Sequence, residues 1–395
     1  MRVLFLAHLF PLPLDSGGKI KSYHALRTLA RAHQVQMLAY VRSDQELGLV
    51  PEVEEICAGV TVVPLTRGPL RLGIDLMGSL LARRSFIVSR DYRRSMADAF
   101  ERAVTEFQPE VVHIDHLQMA QFVRFGEQYR TVLDQHNVES VIIRRLAESS
   151  SSLPVRLWAG AEWPKLRDYE TGICRRCDLV LAVSDQDAAA IRDMDPRIKR
   201  VECVPIGVDV ERFANVPRNG RAGGILSVGA MHWPPNVDAA VYFCRDILPL
   251  IRHDVPQVSV TIAGQRPTAQ VRALADPPGV EVTGYVEDER ELAKECAVFV
   301  VPLRSGSGVR VKILNALAMG LPVVSTPIGA EGLDVIDGQH LLIADGARDF
   351  AAAVVTLLRD RDTADRLGRA GQALVTERYS WDKTGARLLE LYETI

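Results

Sequence analysis

The sequence predicts an α/β protein built from two doubly wound, Rossmann-like parallel-sheet domains. Short apolar runs alternate with segments of helical periodicity along all 395 residues, which is typical of parallel sheets with helices on both faces. The alternation restarts after Ala214–Gly224, a stretch rich in turn-forming residues that reads as a linker. A chain of this length also exceeds one ordinary hydrophobic core. We expect the two domains to face each other across a cleft, as two-substrate α/β enzymes do.

The first half contains seven apolar, β-branched runs separated by amphipathic segments. Strands are predicted at Val3–Ala7, Val35–Tyr40, Val60–Pro64, Val111–Ile114, Thr131–Asp134, Leu179–Ser184 and Val201–Pro205. Helices are predicted at Gly18–Ala32, Tyr92–Phe107 and Pro164–Cys177.

The second half repeats the pattern. Strands are predicted at Gly223–Gly229, Val258–Ala263, Val280–Thr283, Val298–Val301 and Val323–Ser325. Helices are predicted at Val237–Leu250, Arg290–Lys294, from about Val311 to Gly320, and Trp381–Ile395. We expect Asn236 and Asp288 to cap the helices that follow them, because Asn and Asp side chains accept hydrogen bonds from free N–H groups.

Composition excludes several classes of protein. The hydrophobic share of 47% and charged share of 25% are globular values, and the net charge of −3 argues against nucleic-acid binding. No window approaches the ~20 apolar residues needed to span a bilayer, and the N-terminus does not have a signal-peptide pattern. Six scattered cysteines do not form a disulfide framework. We therefore expect a cytoplasmic protein with at most peripheral contact with the inner face of a membrane.

One local basic cluster stands apart from this balance. It combines aromatic residues with five arginines, Arg83, Arg84, Arg90, Arg93 and Arg94. A solvated helical face is one interpretation, and a membrane or acidic-ligand site is the other.

A glycine- and serine-rich loop, Arg304-Ser-Gly-Ser-Gly-Val-Arg310, follows an apolar run and opens a helix. Free backbone N–H groups and the helix dipole make such a loop an anion-binding device. Arg310 and Lys312 add two cations there, so the loop predicts a diphosphate site. A second loop, Asp15-Ser-Gly-Gly18, joins the first predicted strand to its helix. It gives a weaker signal because it matches neither the dinucleotide-binding nor the Walker pattern.

Polar residues end two neighbouring strands of the first half. His113, Asp115 and His116 close one strand, and His136 and Asn137 follow the next. In α/β enzymes this edge carries catalytic residues, although capping and loop hydrogen bonds would explain any one of them singly. A metal site would use His113, Asp115 and His136, but the sequence has no other metal-ligand spacing, so we expect no metal.

Several of these motifs resemble the retaining glycosyltransferases of family 4, which have the GT-B fold. The resemblance rests on Ala297-Val-Phe-Val-Val-Pro-Leu303 with its glycine loop, and on Ala316-Leu-Ala-Met-Gly-Leu-Pro-Val-Val-Ser-Thr326. It also rests on Val204-Pro-Ile-Gly-Val-Asp-Val-Glu-Arg-Phe213, which is similar to the family's domain-junction motif.

The resemblance implies transfer of a sugar from a nucleotide-diphosphate sugar to an acceptor hydroxyl, with retention at the anomeric carbon. It implies no metal and no cofactor, and an acceptor that is a small molecule, a glycan or a lipid-linked sugar. It also implies an acceptor-binding domain over residues 1–205, a nucleotide-sugar-binding domain over 206–378, and a last helix, 379–395, that returns to the N-terminal domain.

By position, His136 matches the histidine that lies near the reacting sugar in this family. Ser307 and Asn315 stand where the family has two glutamates, and the stretch 229–236 lacks the family's usual Arg and Lys. The resemblance therefore implies a variant subgroup whose catalytic residues are His136, Arg310 and Lys312. The expected donor contacts are Gly17, Gly18, Gly229, Gly264, Tyr285, Gly306, Ser307, Gly308, Val309 and Asn315. The expected acceptor-side residues are His113, Asp115, His116 and Asn137.

Two alternatives stay open from the sequence. The missing glutamates are compatible with a degenerate, binding-only partner subunit. The architecture is also compatible with a sugar-nucleotide epimerase.

Overall fold

The computed structural model describes residues 1–68, 73, 75–79, 84–126, 129–150, 152–214, 216, 224–275, 278–306 and 308–395. The chain divides into two compact units, Met1–Pro205 with Gly385–Ile395, and Ile206–Thr384. Each unit contains one parallel sheet with helices on both faces, which confirms the predicted fold class. Most of the predicted linker and Arg83 lie outside the described residues.

The sheet of the first unit has seven strands in the order β3-β2-β1-β4-β5-β6-β7. They are β1 Arg2–Ala7, β2 Gln34–Val41, β3 Gly59–Pro64, β4 Val111–Asp115, β5 Arg130–Asp134, β6 Leu179–Ala182 and β7 Val201–Cys203. All neighbours pair in parallel. Successive residues of β1 enter two different apolar clusters, Leu4 and Leu6 on one face and Val3 and Phe5 on the other. This burial on both faces explains why the strands read as continuous apolar runs.

The helices of this unit lie between the strands in sequence. They span Gly17–Ala32, Asp44–Gly48, Val50–Glu54, Phe86–Ser89, Arg94–Phe107, Glu139–Ser149, Leu153–Arg176 and Asp185–Arg192, with a 3₁₀ segment at Leu117–Phe122. A last helix, Trp381–Tyr392, spans the division between the units. Its Leu388, Leu391 and Tyr392 join the core of the first unit.

The sheet of the second unit has six strands in the order β10-β9-β8-β11-β12-β13. They are β8 Gly224–Val228, β9 Ser259–Ala263, β10 Val280–Gly284, β11 Val298–Val301, β12 Val323–Ser325 and β13 Leu342–Ile343. In both sheets the strand order reverses once, between β1 and β4 and between β8 and β11. Ligands of open α/β sheets bind beyond the carboxyl ends of strands at such reversals.

Helices again connect these strands. They span Val210–Phe213, Pro234–Tyr242, Leu248–Asp254, Ala269–Arg272, Glu289–Ala293, Val311–Ala318, Pro327–Ala330, Ala347–Arg359 and Arg361–Arg378. A π-helical turn, Phe243–Ile247, joins the second and third of them, and a 3₁₀ turn lies at Ala273–Ala275.

Two local predictions were wrong. The helix predicted to begin at Pro164 begins at Leu153 and contains Pro164 in its interior. Pro164 lacks the N–H that a helix interior normally uses, but packing against helix Glu139–Ser149 offsets this cost. In that packing Glu170 accepts hydrogen bonds from the first N–H groups of helix Glu139–Ser149, at 2.9 and 3.0 Å. Asn236 does not cap a helix, since the helix begins at Pro234. Asp288 caps as predicted, accepting from the backbone N–H of Arg290.

Among the described residues, no helix combines the length and apolarity needed to cross a bilayer. Location in the cytoplasm stays a prediction.

Candidate functional site

The first unit gathers its predicted polar residues at the carboxyl ends of β4 and β5. Asp115 is fully buried, its Oδ1 lies 2.8 Å from His136 Nε2, and its Oδ2 lies 3.0 Å from His116 Nδ1. Ser22 Oγ donates to the same Oδ2 at 2.8 Å. The two imidazole rings stack with centroids 3.8 Å apart. One carboxylate therefore orients both histidines.

The first residues of helix Gly17–Ala32 lie close to these rings. A Cβ at Gly18 would lie 3.1 Å from Leu9 Cδ1, 3.7 Å from His116 Nε2 and 3.8 Å from His136 Nδ1. His136 Nδ1 is buried and makes no hydrogen bond to the described residues. Ser16, just before the helix, makes no side-chain cap hydrogen bond. A ligand over Gly18 would meet both imidazoles and the helix N-terminus.

Burial and charge set different protonation states in this group. Burial opposes the charged form of Asp115, but His116 and His136 outweigh it and hold the pKa of Asp115 well below its usual range. Burial also disfavours a charged His116, but the neighbouring Asp115 outweighs it and raises the pKa of His116. Burial, with the charge of His116, lowers the pKa of His136 to about 4. A neutral His136 that donates from Nε2 to Asp115 leaves Nδ1 as an acceptor.

Asp134, at the end of β5, forms an ion pair with Lys21. Burial opposes its charge, but Lys21 outweighs it and holds the pKa of Asp134 far below its usual range. His113 Nε2 lies 3.7 Å from Asp134 Oδ2, and His113 Nδ1 lies 2.7 Å from Tyr392 Oη. The His113 ring has no exposed surface, so the structure places it in the core beside Asp134.

The glycine loop of the second unit follows β11, where the prediction put it. Gly306 and Gly308 have φ angles of 126° and 79°, a region that favours glycine. Arg310 Nη1 donates to the Gly308 carbonyl. The predicted contact at Ser307 lies outside the described residues and stays a prediction.

Lys312, in the first turn of helix Val311–Ala318, reaches across to the end of β8 and the helix that follows it. Its Nζ donates to Val228 O and to Asn236 Oδ1, both at 2.9 Å. A Cβ at Gly229 would lie 2.9 Å from this Nζ. Burial, together with Arg310, lowers the pKa of Lys312 to about 7. The structure therefore brings Gly229 and Lys312 together.

Asn315, one turn further along the helix, is paired with a residue that the sequence analysis missed. Its Nδ2 donates to Glu289 Oε1 at 2.7 Å. Burial raises the pKa of Glu289, and the Asn315 hydrogen bond partly opposes this rise. A carboxylate thus lies beside position 315 although the chain has an amide there.

The other predicted residues are less tightly gathered. Gly264 lies against the backbone of Gly229, and a Cβ there would overlap the Gly229 carbonyl oxygen. Val309 packs against the apolar core, whereas the side chain of Tyr285, which directly follows β10, is 74% exposed. Asn137 follows His136 and is partly buried.

Sequence reasoning also missed Lys21 and Ser22. Both are buried on helix Gly17–Ala32 together with Ala25, Leu26 and Leu29. This spacing marks the face of the helix that packs on the sheet. Two polar residues on that otherwise apolar face could have indicated from the sequence that Lys21 and Ser22 are functional.

Two groups of side chains have ligand atoms within 4.8 Å of one another: Asp115, His116 and His136, and His113, Asp115 and Asp134. In the first group, His116 Nδ1 and His136 Nε2 already hydrogen-bond to the Asp115 carboxylate. In the second, the Lys21 ammonium lies against Asp134. Both arrangements compete with a bound cation.

Two family models match the chain. The model described as Glycosyltransferase Family 4 matches residues 22–212, and that described as Glycosyl transferases group 1 matches residues 222–360.

Two curated relatives match over most of their length. A glycogen synthase of Mycobacterium tuberculosis is 24% identical, with 99% of this chain and 94% of the relative covered. A GDP-mannose-dependent alpha-(1-6)-phosphatidylinositol monomannoside mannosyltransferase of the same organism is 28% identical, with 74% and 86% covered.

Solved structures share the fold at low identity. HepE of Anabaena in complex with UDP has a TM-score of 0.70 at 12% identity, with both chains fully covered. Sucrose-phosphate synthase of Thermosynechococcus elongatus has a TM-score of 0.71 at 16% identity, with 100% of this chain and 99% of that chain covered. These likenesses identify the GT-B fold.

Proposed function

We propose that this chain, a nucleotide-sugar-dependent glycosyltransferase with the GT-B fold, transfers a sugar to an acceptor hydroxyl with retention at the anomeric carbon and without a metal ion. The donor is a nucleotide-diphosphate sugar held by the second unit. Acceptor-side residues come from the carboxyl ends of the strands of the first sheet.

The position of the Lys312 ammonium carries this proposal. The resemblance implies cations on the loop after the first strand of the second domain, and the stretch 229–236 has neither Arg nor Lys. Lys312 brings an ammonium to that loop from the helix that follows β11. Together with Arg310 and the N-terminus of helix Val311–Ala318, it offers a diphosphate two cations and free N–H groups.

These groups assist departure of the nucleotide. Negative charge grows on the leaving phosphate as the anomeric C–O bond breaks, and fixed donors stabilise it. One such donor is worth roughly 3 kcal/mol in comparable oxyanion sites. The acceptor hydroxyl attacks from the face that the leaving group vacates and loses its proton to the leaving phosphate.

The pair Asn315 and Glu289 supports a ribose contact. Glu289 uses Oε1 to accept from Asn315, which leaves its other carboxylate oxygen and the Asn315 carbonyl as acceptors. Two ribose hydroxyls are donors of the right kind. Glu289 thus supplies the carboxylate that the family has at position 315.

His136 lines the reacting centre in the first unit. Its Nδ1 is the buried acceptor that faces Gly18, and a sugar hydroxyl would satisfy it. Asp115 positions the ring and is not placed in contact with substrate.

Product analysis tests the proposal. UDP-glucose and GDP-mannose are incubated with an acceptor panel in the presence of EDTA, and the anomeric configuration of any product is read by NMR. We expect a product with the donor's configuration. An inverted product would refute retention, and loss of activity in EDTA that is restored by a divalent cation would refute metal independence. Conversion of the donor without any acceptor would favour the epimerase alternative.

A further inference from the structure

Three arginines gather at the carboxyl ends of the first strands of the first sheet. Arg42 directly follows β2, Arg67 follows β3 by three residues, and Arg90 precedes helix Arg94–Phe107. All three surround Asp91, whose side chain is fully buried. We call Arg42, Arg67 and Arg90 the arginine cluster.

Asp91 is shared among several cations. Its Oδ1 accepts from Arg67 Nε at 3.0 Å and Nη2 at 2.6 Å. Its Oδ2 lies 3.0 Å from His8 Nε2 and 3.8 Å from Arg90 Nε. Arg42 Nη2 lies 3.2 Å from the same His8 nitrogen and donates to the His8 carbonyl at 3.2 Å. Because one ring nitrogen cannot both donate to Asp91 and accept from Arg42, His8 does not fully satisfy both neighbours.

Two of the nearby carboxylates are shared with lysines. Glu46 accepts from the backbone N–H of Arg42 at 2.6 Å, but its other oxygen pairs with Lys19 at 2.9 Å. Glu139 and Glu162 also act on Arg90, and Glu162 lies 3.3 Å from Lys165.

Partial burial makes the charges of Arg42 and Arg90 costly. Burial, with the like charge of Arg67, lowers the pKa of Arg42. Burial is also the main cause that lowers the pKa of Arg90. The Nε of Arg90 is buried and makes no hydrogen bond to the described residues. Partly desolvated cations whose hydrogen bonds are incomplete are stabilised by an anionic ligand.

The arginine cluster lies on the same edge of the sheet as the reacting centre. The strand order β3-β2-β1-β4-β5 places Arg67, Arg42, His8, His116 and His136 in succession along the carboxyl edge. The rings of His8 and His116 have centroids 5.6 Å apart. Neighbouring strands are about 4.8 Å apart, so β2 and β4 are separated by about 10 Å.

We propose that the arginine cluster binds a phosphate group of the acceptor, about 10 Å from the hydroxyl that receives the sugar. This inference rests on the proposed function. Guanidinium groups match phosphate in a bidentate, charge-assisted geometry. The acceptor is thus a phosphate ester, and its source is either a phospholipid head group or a soluble sugar or polyol phosphate.

Binding of two anionic probes tests the inference. Wild-type protein is titrated with inorganic phosphate in place of chloride at constant ionic strength. It is also mixed with vesicles of phosphatidylcholine, alone or with phosphatidylinositol. We expect binding of at least one anionic probe. Binding of vesicles alone identifies a lipid head group, and binding of free phosphate identifies a soluble ester.

Single variants locate the binding. Arg42→Gln and Arg90→Gln should each weaken binding of that probe about tenfold or more. Arg102→Gln removes an exposed arginine from helix Arg94–Phe107 of the same unit, and it should bind like the wild type. Thermal unfolding of each variant confirms that it is folded. Wild-type affinity in both cluster variants, or an equal loss in the Arg102 variant, would overturn the inference, as would failure of both probes to bind.

A nucleotide titration separates this inference from the proposed function. The cluster variants should bind UDP and GDP as the wild type does. If Arg42→Gln weakens nucleotide binding as much as probe binding, the cluster holds the donor and the inference is wrong. If the wild type binds no nucleotide, the proposed function fails independently of the arginines.

Discussion

Lys312 should take up a proton when a nucleoside diphosphate binds. In the free protein its pKa is about 7, so at pH 8 only about a tenth of the molecules carry the ammonium. A neighbouring opposite charge shifts a pKa by about 1 to 3 units. A bound diphosphate that raises it by about 2 units would leave about nine tenths protonated. The expected uptake is therefore about 0.8 proton per nucleotide at pH 8, where the phosphate itself is fully ionised.

Calorimetry measures this uptake directly. UDP and GDP are titrated at pH 8 in two buffers of different ionisation enthalpy, and the difference in binding enthalpy gives the number of protons. Lys312→Met should abolish the uptake and weaken binding about 10- to 100-fold. Lys312→Arg is the matched control, since it stays charged and should bind without uptake. Zero uptake by the wild type, or unchanged uptake in Lys312→Met, would refute the reasoning.

The same shift has a consequence for stability. The unfolded chain keeps the Lys312 proton up to its ordinary value of 10.5, whereas the folded protein loses it near 7. The folded state thus binds fewer protons between these values, and the free energy of unfolding rises with pH there by up to about 1.4 kcal/mol per unit. In Lys312→Met, the free energy of unfolding, measured by denaturant titration at a series of pH values, should not show this rise.

Three further predictions concern other parts of the two units. His136→Ala should lower turnover far more than donor affinity, and wild-type turnover in steady-state kinetics would eliminate its catalytic role. Gly264→Ala should destabilise by several kcal/mol because its Cβ overlaps the Gly229 carbonyl. Gly284→Ala is the control, since Gly284 also has a positive φ but open space around it, and it should cost only about 1–2 kcal/mol. Equal melting temperatures of the two variants would contradict the close contact between Gly264 and Gly229. Lys21→Met should destabilise by about 3–5 kcal/mol at pH 7. That loss should shrink in acid, since the stability from Asp134, whose pKa is depressed, disappears as the carboxylate protonates.

The sequence predicted the long buried strands well, and it predicted short elements and helix boundaries that depend on packing poorly. Val3–Ala7, Val111–Ile114 and Val298–Val301 are strands as predicted, because burial on both faces leaves continuous apolar runs. The two-residue strand Leu342–Ile343 was missed, since it is too short to show a pattern. The helix start predicted at Pro164 was wrong because tertiary packing outweighed local propensity.

The candidate site shows the same limit. Arg310 and Lys312 could be selected from their place after a glycine loop. The reach of Lys312 to Val228 depends on β8 lying beside β11, which periodicity does not encode. Glu289 was missed for the same reason, since its partner Asn315 is 26 residues away in sequence.

Nucleotide binding tests the central claim most directly. Wild-type protein and the double variant Arg310→Gln/Lys312→Met are titrated with UDP-glucose and GDP-mannose in EDTA. We predict that the wild type binds at least one donor and that the double variant loses at least about a hundredfold in affinity. Wild-type affinity in the double variant, with both proteins folded, would contradict the proposed diphosphate site.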